Sequence, residues 1–536
     1  MGKKISWLIG SLAISGLITP ALALNDSIGE EGINARRLQQ APYNLLGRKI
    51  GIGQVEIGRP KKFGQDKVNS TSNFVAPQGV FFRDRLAASD KNVDDHASMV
   101  AGVMIAKNKN LQGVAPEAKL YASAVGSLKE GGQALECLAS QHIALQNGGD
   151  IRAINFSFGE SLERDTRLDA QLDGRALLTQ CVDWSAREHD VLYTIAGNQG
   201  KGGIPIPTDN FNGITTAYTT KRKGIFTKVD FANLSALPEG IGRSVIKKEI
   251  NQGMRRAISL LAPGSQITVY NQKGKKEKVS GTSFAAPHIT GSVALLQEYS
   301  DRLLQKSISG WTLDARRHEV MKAVLLNSAD KIRDRGDGLL LDMERTVLSE
   351  QNYNWFESDA YLNPRIPLDI QMGTGHLNVF RAYQQFSAGQ TSPNEPAKPL
   401  GWDYRAITPN SYREYYLQQP LKSGSYVAIS LTWDRLVELN DRNENQRYDV
   451  GETFRDRGLN NLDVYVLPVE ESNNMRNVCS SLSTEDSIEH IFCPIPVTGR
   501  YKIRVHYRHQ LNEPRQNYAL AWWTADNKKI KQESSN

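Results

Sequence analysis

From Lys49 to about Tyr383 the chain alternates short apolar runs with longer stretches of helical spacing. KIGIGQVEI (49–57), KLYASAV (119–125), IRAINFSF (151–158), VLYTIAGN (191–198) and GITTAYTT (213–220) read as buried or half-buried strands. Between and after them, 96–107, 132–146, 168–188, 282–299 and 317–330 read as helices. A strand covered on both faces must be apolar along its length. The alternation therefore predicts an α/β fold, a parallel sheet with helices on both sides. Residues 331–372 read as a polar insertion before a last helical segment near 377–383.

The character then changes. SAGQTSPNEPAKPLG (387–401) is rich in Pro, Ser and Gly, lacks periodicity and reads as a linker. Beyond it, SYVAISLTW, LDVYVLPV, RYKIRVHYR and NYALAWW alternate with period two between turn-like loops, the pattern of an antiparallel β-sandwich over 402–536. A chain of 536 residues is long enough for two such domains.

At the N-terminus, Lys3 and Lys4 precede an apolar run from Ile5 to about Ile18, and Ala21-Leu22-Ala23 forms a small-x-small site. Residues 1–23 therefore read as an export signal cleaved after Ala23, followed by an extension at 24–48 and the α/β domain at 49–386. The apolar run is short for a membrane span and contains Gly and Ser, and no later stretch is long and apolar enough. A secreted or periplasmic fate puts Cys137, Cys181, Cys479 and Cys493 in an oxidising compartment. Three pairings are open; pairing within each half is the simplest, and buried free thiols are the alternative. The net charge of +7 is dispersed, with no basic block interleaved with aromatics, which argues against a nucleic-acid partner.

The stretch VSGTSFAAPHITGSVALL (279–296) carries the chemistry. Gly281 and Thr282 suit a tight entry to a buried helix, with Ser283 at or next to its N-cap and Pro287 near the start, where N–H groups lack partners. A hydroxyl so placed faces free N–H groups and the positive helix end, which favours a nucleophile that must generate an oxyanion. The bland alternative is that Ser283 is only a cap. A base is available in DDHASMVAGVMIA (94–106), where His96 opens a helix whose positive end disfavours imidazolium. Asn198, in the Gly-flanked YTIAGNQG (193–200), offers a side-chain donor.

Taken together these segments resemble the subtilisin-like serine proteases, the subtilases. GTSFAAPHITG (281–291) is similar to their serine motif, and HASMVAG (96–102) to their histidine motif, with Ala97 and Ser98 where Gly and Thr are usual. INFSFG (154–159) and AGNQG (196–200) resemble the substrate-wall and oxyanion segments, while GVAPEAKLYA (113–122), LLAPGS (260–265) and GTGHLNVFRA (373–382) fit in order. The resemblance implies that Ser283 is the nucleophile, His96 the general base and Asn198 an oxyanion donor beside the Ser283 N–H. It also implies that Ser157, Phe158, Gly159, Ala196 and Gly197 flank the pocket for the residue before the scissile bond. The C-terminal region is similar, more weakly, to pre-peptidase C-terminal domains of secreted bacterial proteases.

One departure concerns the acid. The family's first strand usually ends in the aspartate of an Asp-x-Gly pattern, whereas here Glu56 precedes Ile57-Gly58. A glutamate can orient the imidazole and stabilise imidazolium, but its extra methylene requires a backbone about 1–1.5 Å further back or a folded side chain. An active Glu-His-Ser triad, a degenerate site and a triad using another acid are the three readings. A second departure is the short 24–48 extension, where secreted subtilases usually carry a folded pro-domain; either the protein folds without one or another part of the chain supplies the function, 331–372 being a candidate by location alone.

The remaining motif is DRNENQRYDVGE (441–452), with Asp441, Asn443, Asn445, the Arg447 carbonyl, Asp449 and Glu452 at positions 1, 3, 5, 7, 9 and 12 of an EF-hand-like loop. It reads either as a structural Ca²⁺ site or as a solvated β-loop, with Gln446 straining the position normally given to glycine. His288 reads as a packed structural residue, and His142, His189, His318, His376, His490, His506 and His509 show no metal spacing. The sequence thus points to an exported serine endopeptidase acting on protein or peptide substrates, with no cofactor needed for its chemistry. A non-catalytic binding protein on the same scaffold and a peptide-ligating transferase are the alternatives.

Overall fold

The structure, a computed structural model, describes residues 24–67, 74–108, 110–126, 132–168, 170–197, 205–229, 253–393 and 395–524. Its centre is a ten-stranded sheet. The strands are β1 (Gly51–Glu56), β2 (Gly79–Phe82), β3 (Lys119–Ala124), β4 (Ile151–Phe156) and β5 (Leu192–Ala196), then β6 (Ile214–Arg222), β7 (Ile225–Lys228), β8 (Leu260–Pro263) and β9 (Thr346–Leu348). They lie in the order β9-β7-β6-β5-β4-β1-β3-β2, with Arg85–Leu86 extending the β2 edge and β8 paired to β6. All these pairings are parallel except β6–β7 and the hairpin at the β2 edge. Every residue of β1 is buried, as the predicted two-sided cover requires.

Helices α1 (Asp95–Ile105) and α4 (Thr282–Gln305) cover one face and α2 (Gln133–Ala144) and α3 (Leu177–Glu188) the other. Met99, Val100 and Val103 of α1 meet Phe284, Ile289 and Val293 of α4 in one cluster, while Ile143 and Val182 join Val55 and Ile154 in the second. Residues 24–48 belong to the first: Leu24, Ile28, Ile33, Leu38 and Leu45 are buried there. At about 1.5–3 kcal/mol for each buried Leu or Ile, this extension is part of the domain's stability. Cys137 of α2 is bonded to Cys181 of α3, and Cys479 to Cys493 in the C-terminal domain, the pairing expected within each half.

The C-terminal domain is a sandwich of two four-stranded antiparallel sheets, Leu400–Ile407, Gln516–Trp523, Tyr426–Thr432 and Ile488–Pro494 against Tyr412–Tyr416, Tyr501–His509, Asn461–Pro468 and Cys479–Ser481. The segment 387–401 is pinned rather than free: Thr391 N donates to Trp402 O, Ala397 N to Tyr416 O, and Trp402 Nε1 to Phe386 O. The 331–372 insertion supplies β9 and a buried Trp355 that packs with Ala428, Phe492 and Trp523 of the sandwich. Helix α5 (His318–Asn327) packs on the same sheet, and Thr432 Oγ1 donates to Glu319 O at 2.9 Å. None of the described helices is long and apolar enough to cross a membrane.

Candidate active site

The carboxyl ends of β1, β4 and β5 and the N-termini of α1 and α4 meet on one edge of the sheet, the edge where open α/β sheets bind ligands. Glu56 is the last residue of β1 and His96 the second of α1. Asp94 caps α1, its side chain accepting from Ala97 N at 2.9 Å. Gly58 lets the chain leaving β1 pass this cap, since a Cβ there would lie 2.2 Å from Asp94 Cβ. Arg59 and Asp94 are joined by an Asp94 N–H to Arg59 O bond, so the strand end and helix start are held as one unit.

Within that unit Glu56 Oε2 lies 2.8 Å from His96 Nδ1. The carboxylate is almost fully buried and the imidazole partly exposed. Glu56's charge raises the His96 pKa to about 9 against the opposing effect of burial, helped by their hydrogen bond and by Asp94. This corrects the expectation from the helix end alone. The Glu56 charge, with a smaller contribution from the capping Asp94, outweighs the helix end, so at neutral pH the resting ring is imidazolium. The His96 ring meets the Phe284 ring edge-on, with centroids 5.5 Å apart, which brings it beside the start of α4.

Helix α4 begins after Gly281, whose φ of 150° is open to glycine and disfavoured elsewhere. Ser283 is the second helical residue and is 6% exposed. Its Oγ donates to Ser157 O at 3.2 Å, and Ser157 Oγ donates to Ser283 O at 2.8 Å. Pro287 accounts for the second bond. It sits in the second turn of α4 rather than among the unpaired N–H groups of the first, and it has no N–H to give the Ser283 carbonyl. The Ser157 hydroxyl fills that vacancy, and Asn155 Nδ2 in turn donates to Ser157 Oγ at 2.8 Å. Among the described residues, His96 hydrogen-bonds only to Glu56, so the serine hydroxyl is directed to the Ser157 carbonyl and not to the imidazole.

The segments 157–159 and 196–197 both touch the start of α4, through Ser157 and Gly197. Phe158 stacks on Phe156, with centroids 5.0 Å apart, and Thr282 Oγ1 donates to Gly197 O at 2.8 Å. Gly197 follows Ala196 at the end of β5, and a Cβ on it would meet Thr216 O at 2.8 Å. Gly159 leads into Glu160, which pairs with Ile206 across an antiparallel bridge. Asn198 lies outside the described residues.

Gln54 was not singled out from the sequence. Its Nε2 donates to Glu56 Oε1 at 3.3 Å and to Ala97 O at 2.9 Å. The available signal is its spacing: residues two apart on a strand share a face, and an amide within a strand covered on both sides is out of place unless it has partners. His288 is buried and neutral, its pKa lowered to about 4 by burial, with Nδ1 at Phe284 O and Nε2 at Ser27 Oγ.

The 441–452 loop closes the hairpin of Val437–Asn440 and Thr453–Asp456. Asp441 accepts from the N–H groups of Asn445 and Gln446, Glu452 from those of Arg442 and Asp449, and Gln446 takes φ 61°. The side-chain amides of Asn443 and Asn445 both donate to Asp449 Oδ2. Among the described residues, the His, Cys and carboxylate groups with three ligand atoms within 4.8 Å of one another are limited to Asp190, His318 and Glu319, a juxtaposition the spacing of His318 did not announce.

Comparison with known proteins finds the subtilase family model matching residues 74–347, a span that includes His96 and Ser283 and begins after Glu56. Subtilisin DY of Bacillus licheniformis is 23% identical over 272 residues, 49% of this chain and 81% of that protein. The major intracellular serine protease of Bacillus subtilis (strain 168) is 25% identical over 228 residues, covering 42% of this chain and 60% of the relative. Subtilisin NAT of Bacillus subtilis subsp. natto is 27% identical over 270 residues, covering 50% and 60%.

Proposed function

The chain belongs to the subtilase family, and on that premise we propose that it is an exported serine endopeptidase working through Glu56, His96 and Ser283. Membership supports serine-type peptidase activity on protein substrates. In this reading Ser283 Oγ turns about its Cα–Cβ bond from Ser157 O toward His96 Nε2 and attacks the peptide carbonyl. His96 takes the proton and returns it to the leaving amine, while Glu56 holds the ring by Nδ1–H and stabilises imidazolium. The Ser283 N–H and the Asn198 side chain stabilise the oxyanion.

The observation that carries this reading is the 2.8 Å contact between Glu56 Oε2 and His96 Nδ1 beside the helix start bearing Ser283. The test is cleavage of casein or a fluorogenic peptide by wild type, Ser283→Ala and Glu56→Gln. Wild type should cleave, Ser283→Ala should not, and a Ser283→Ala variant as active as wild type would overturn the reading. Export is supported by the basic-apolar N-terminus and by two disulfides, which suit an oxidising compartment.

We propose Ca²⁺ as a structural ion of the 441–452 loop. The positive φ at Gln446 and the hard oxygen set support it, and binding would have to release Asn443 and Asn445 from Asp449. A higher Tm in CaCl2 than in EDTA is expected, and an unchanged Tm contradicts it.

A further inference from the structure

Replacing the usual aspartate with Glu56 adds a rotatable bond to the acid that must aim at His96. A longer side chain in a buried site needs something to fix its second oxygen, or its orientation is lost among rotamers. Gln54 is the residue in contact. It lies two positions before Glu56 on β1, so both side chains leave the same face of the strand toward α1. One N–H of its amide reaches Glu56 Oε1 at 3.3 Å, and the other reaches Ala97 O, next to His96, at 2.9 Å.

The orientation of this amide follows from chemistry. Both neighbours are oxygens that only accept, so the NH₂ end must face them. Its own Oε1 is consequently buried without a hydrogen-bond partner among the described residues. An unpaired buried carbonyl costs about 1–3 kcal/mol, and an apolar residue at this fully buried position would avoid it. Packing alone gives no reason to tolerate that cost.

Resting on the triad reading above, we propose that Gln54 is a positioning residue, fixing the Glu56 carboxylate and the start of α1 in one register so that Oε2 faces the imidazole. The Glu56 charge is the largest influence on His96, so loss of the Gln54 amide should be felt through Glu56. When the carboxylate is free to turn away, the imidazolium loses part of its stabilisation and titrates at lower pH.

The test uses the full chain carrying Gln54→Met, which keeps the volume, and Gln54→Asn, which keeps the amide but withdraws it. Two readouts are taken: kcat and KM on a peptide across pH, and the His96 titration by NMR, identified by its loss in His96→Ala. Gln54→Met should lower kcat about tenfold or more with KM within about twofold. It should also move the His96 titration down by about one pH unit. Gln54→Asn should shift both in the same direction. A folded variant of either kind that keeps the wild-type kcat and His96 titration overturns the proposal. If wild type cleaves nothing, the triad reading fails, while the NMR titration still decides whether Gln54 positions Glu56.

Discussion

Glu56 Oε2 and His96 Nδ1 are 2.8 Å apart, and the carboxylate is buried while the ring reaches solvent. The Glu56 charge is the chief cause that raises the His96 pKa to about 9, so the ring rests as imidazolium at neutral pH. In the proposed triad only the neutral ring can accept the Ser283 proton, so kcat/KM should climb through neutral pH and level off above about 9. A pH profile flat from about 7 upward, at the ordinary histidine value, would contradict this. Because the folded pKa is raised, the pair's contribution to stability is complete below the ordinary histidine pKa and is lost as pH rises through the folded one.

His318 forms a second buried cluster, between the domains. Its Nδ1 lies 2.9 Å from Asp190 Oδ1 and its Nε2 3.1 Å from Asp434 Oδ1, so one ring ties the α/β body to the sandwich. Burial disfavours its charge, but Asp434, Glu319 and Asp190 hold its pKa well above the usual value. Asp434→Asn should lower stability by about 3–5 kcal/mol. The loss should be greatest at acidic to neutral pH and fade as pH rises through the folded His318 pKa. Calorimetry should show the variant transition broadened or split, and an unchanged transition would argue that the domains do not need this clamp.

Glu136 and Glu160 lie together in the interior, and Arg164 Nε is 3.1 Å from Glu160 Oε2. Burial, then the neighbouring Glu160, drives the Glu136 pKa well up. A carboxyl whose folded pKa is raised loses stability as pH climbs from its unfolded value toward the folded one. Glu136→Gln removes that penalty and should raise Tm by about 2–4 °C at neutral pH, with little change near pH 4. A fall in Tm at neutral pH would contradict the assignment.

The two disulfides differ in access. Cys137 and Cys181 are fully buried, while Cys479 and Cys493 are partly exposed. Mild dithiothreitol should free two thiols, from 479 and 493, with cleavage retained. Alkylation and mass spectrometry would read the other pair only after denaturant. Early labelling of Cys137 would contradict the packing of α2 on α3.

Much of this was legible in the chain. The unbroken apolar character of strands such as 151–158 dictated a sheet covered on both faces, and the period-two runs beyond 402 dictated the sandwich. Ser283, His96 and Glu56 stood out because their local settings, a helix start and a strand end, are written in neighbouring residues. What was hidden depends on distance across the fold. The charge on His96 is decided by a contact 40 positions away, and the Ser157 bond to Ser283 O arises from a proline's missing N–H. The segment 387–401 has the composition of a free linker, yet its backbone bonds and Trp402 lock it down. Gln54 showed only as a polar residue in an apolar strand.

The most direct test is labelling with a fluorophosphonate probe, followed by mass spectrometry, on wild type, Ser283→Ala and Glu56→Gln. Wild type should carry one probe on Ser283 and Ser283→Ala none, and the labelling rate of Glu56→Gln should fall by about 10³–10⁴-fold. Labelling of Glu56→Gln at the wild-type rate, or of a site other than Ser283, would contradict the triad.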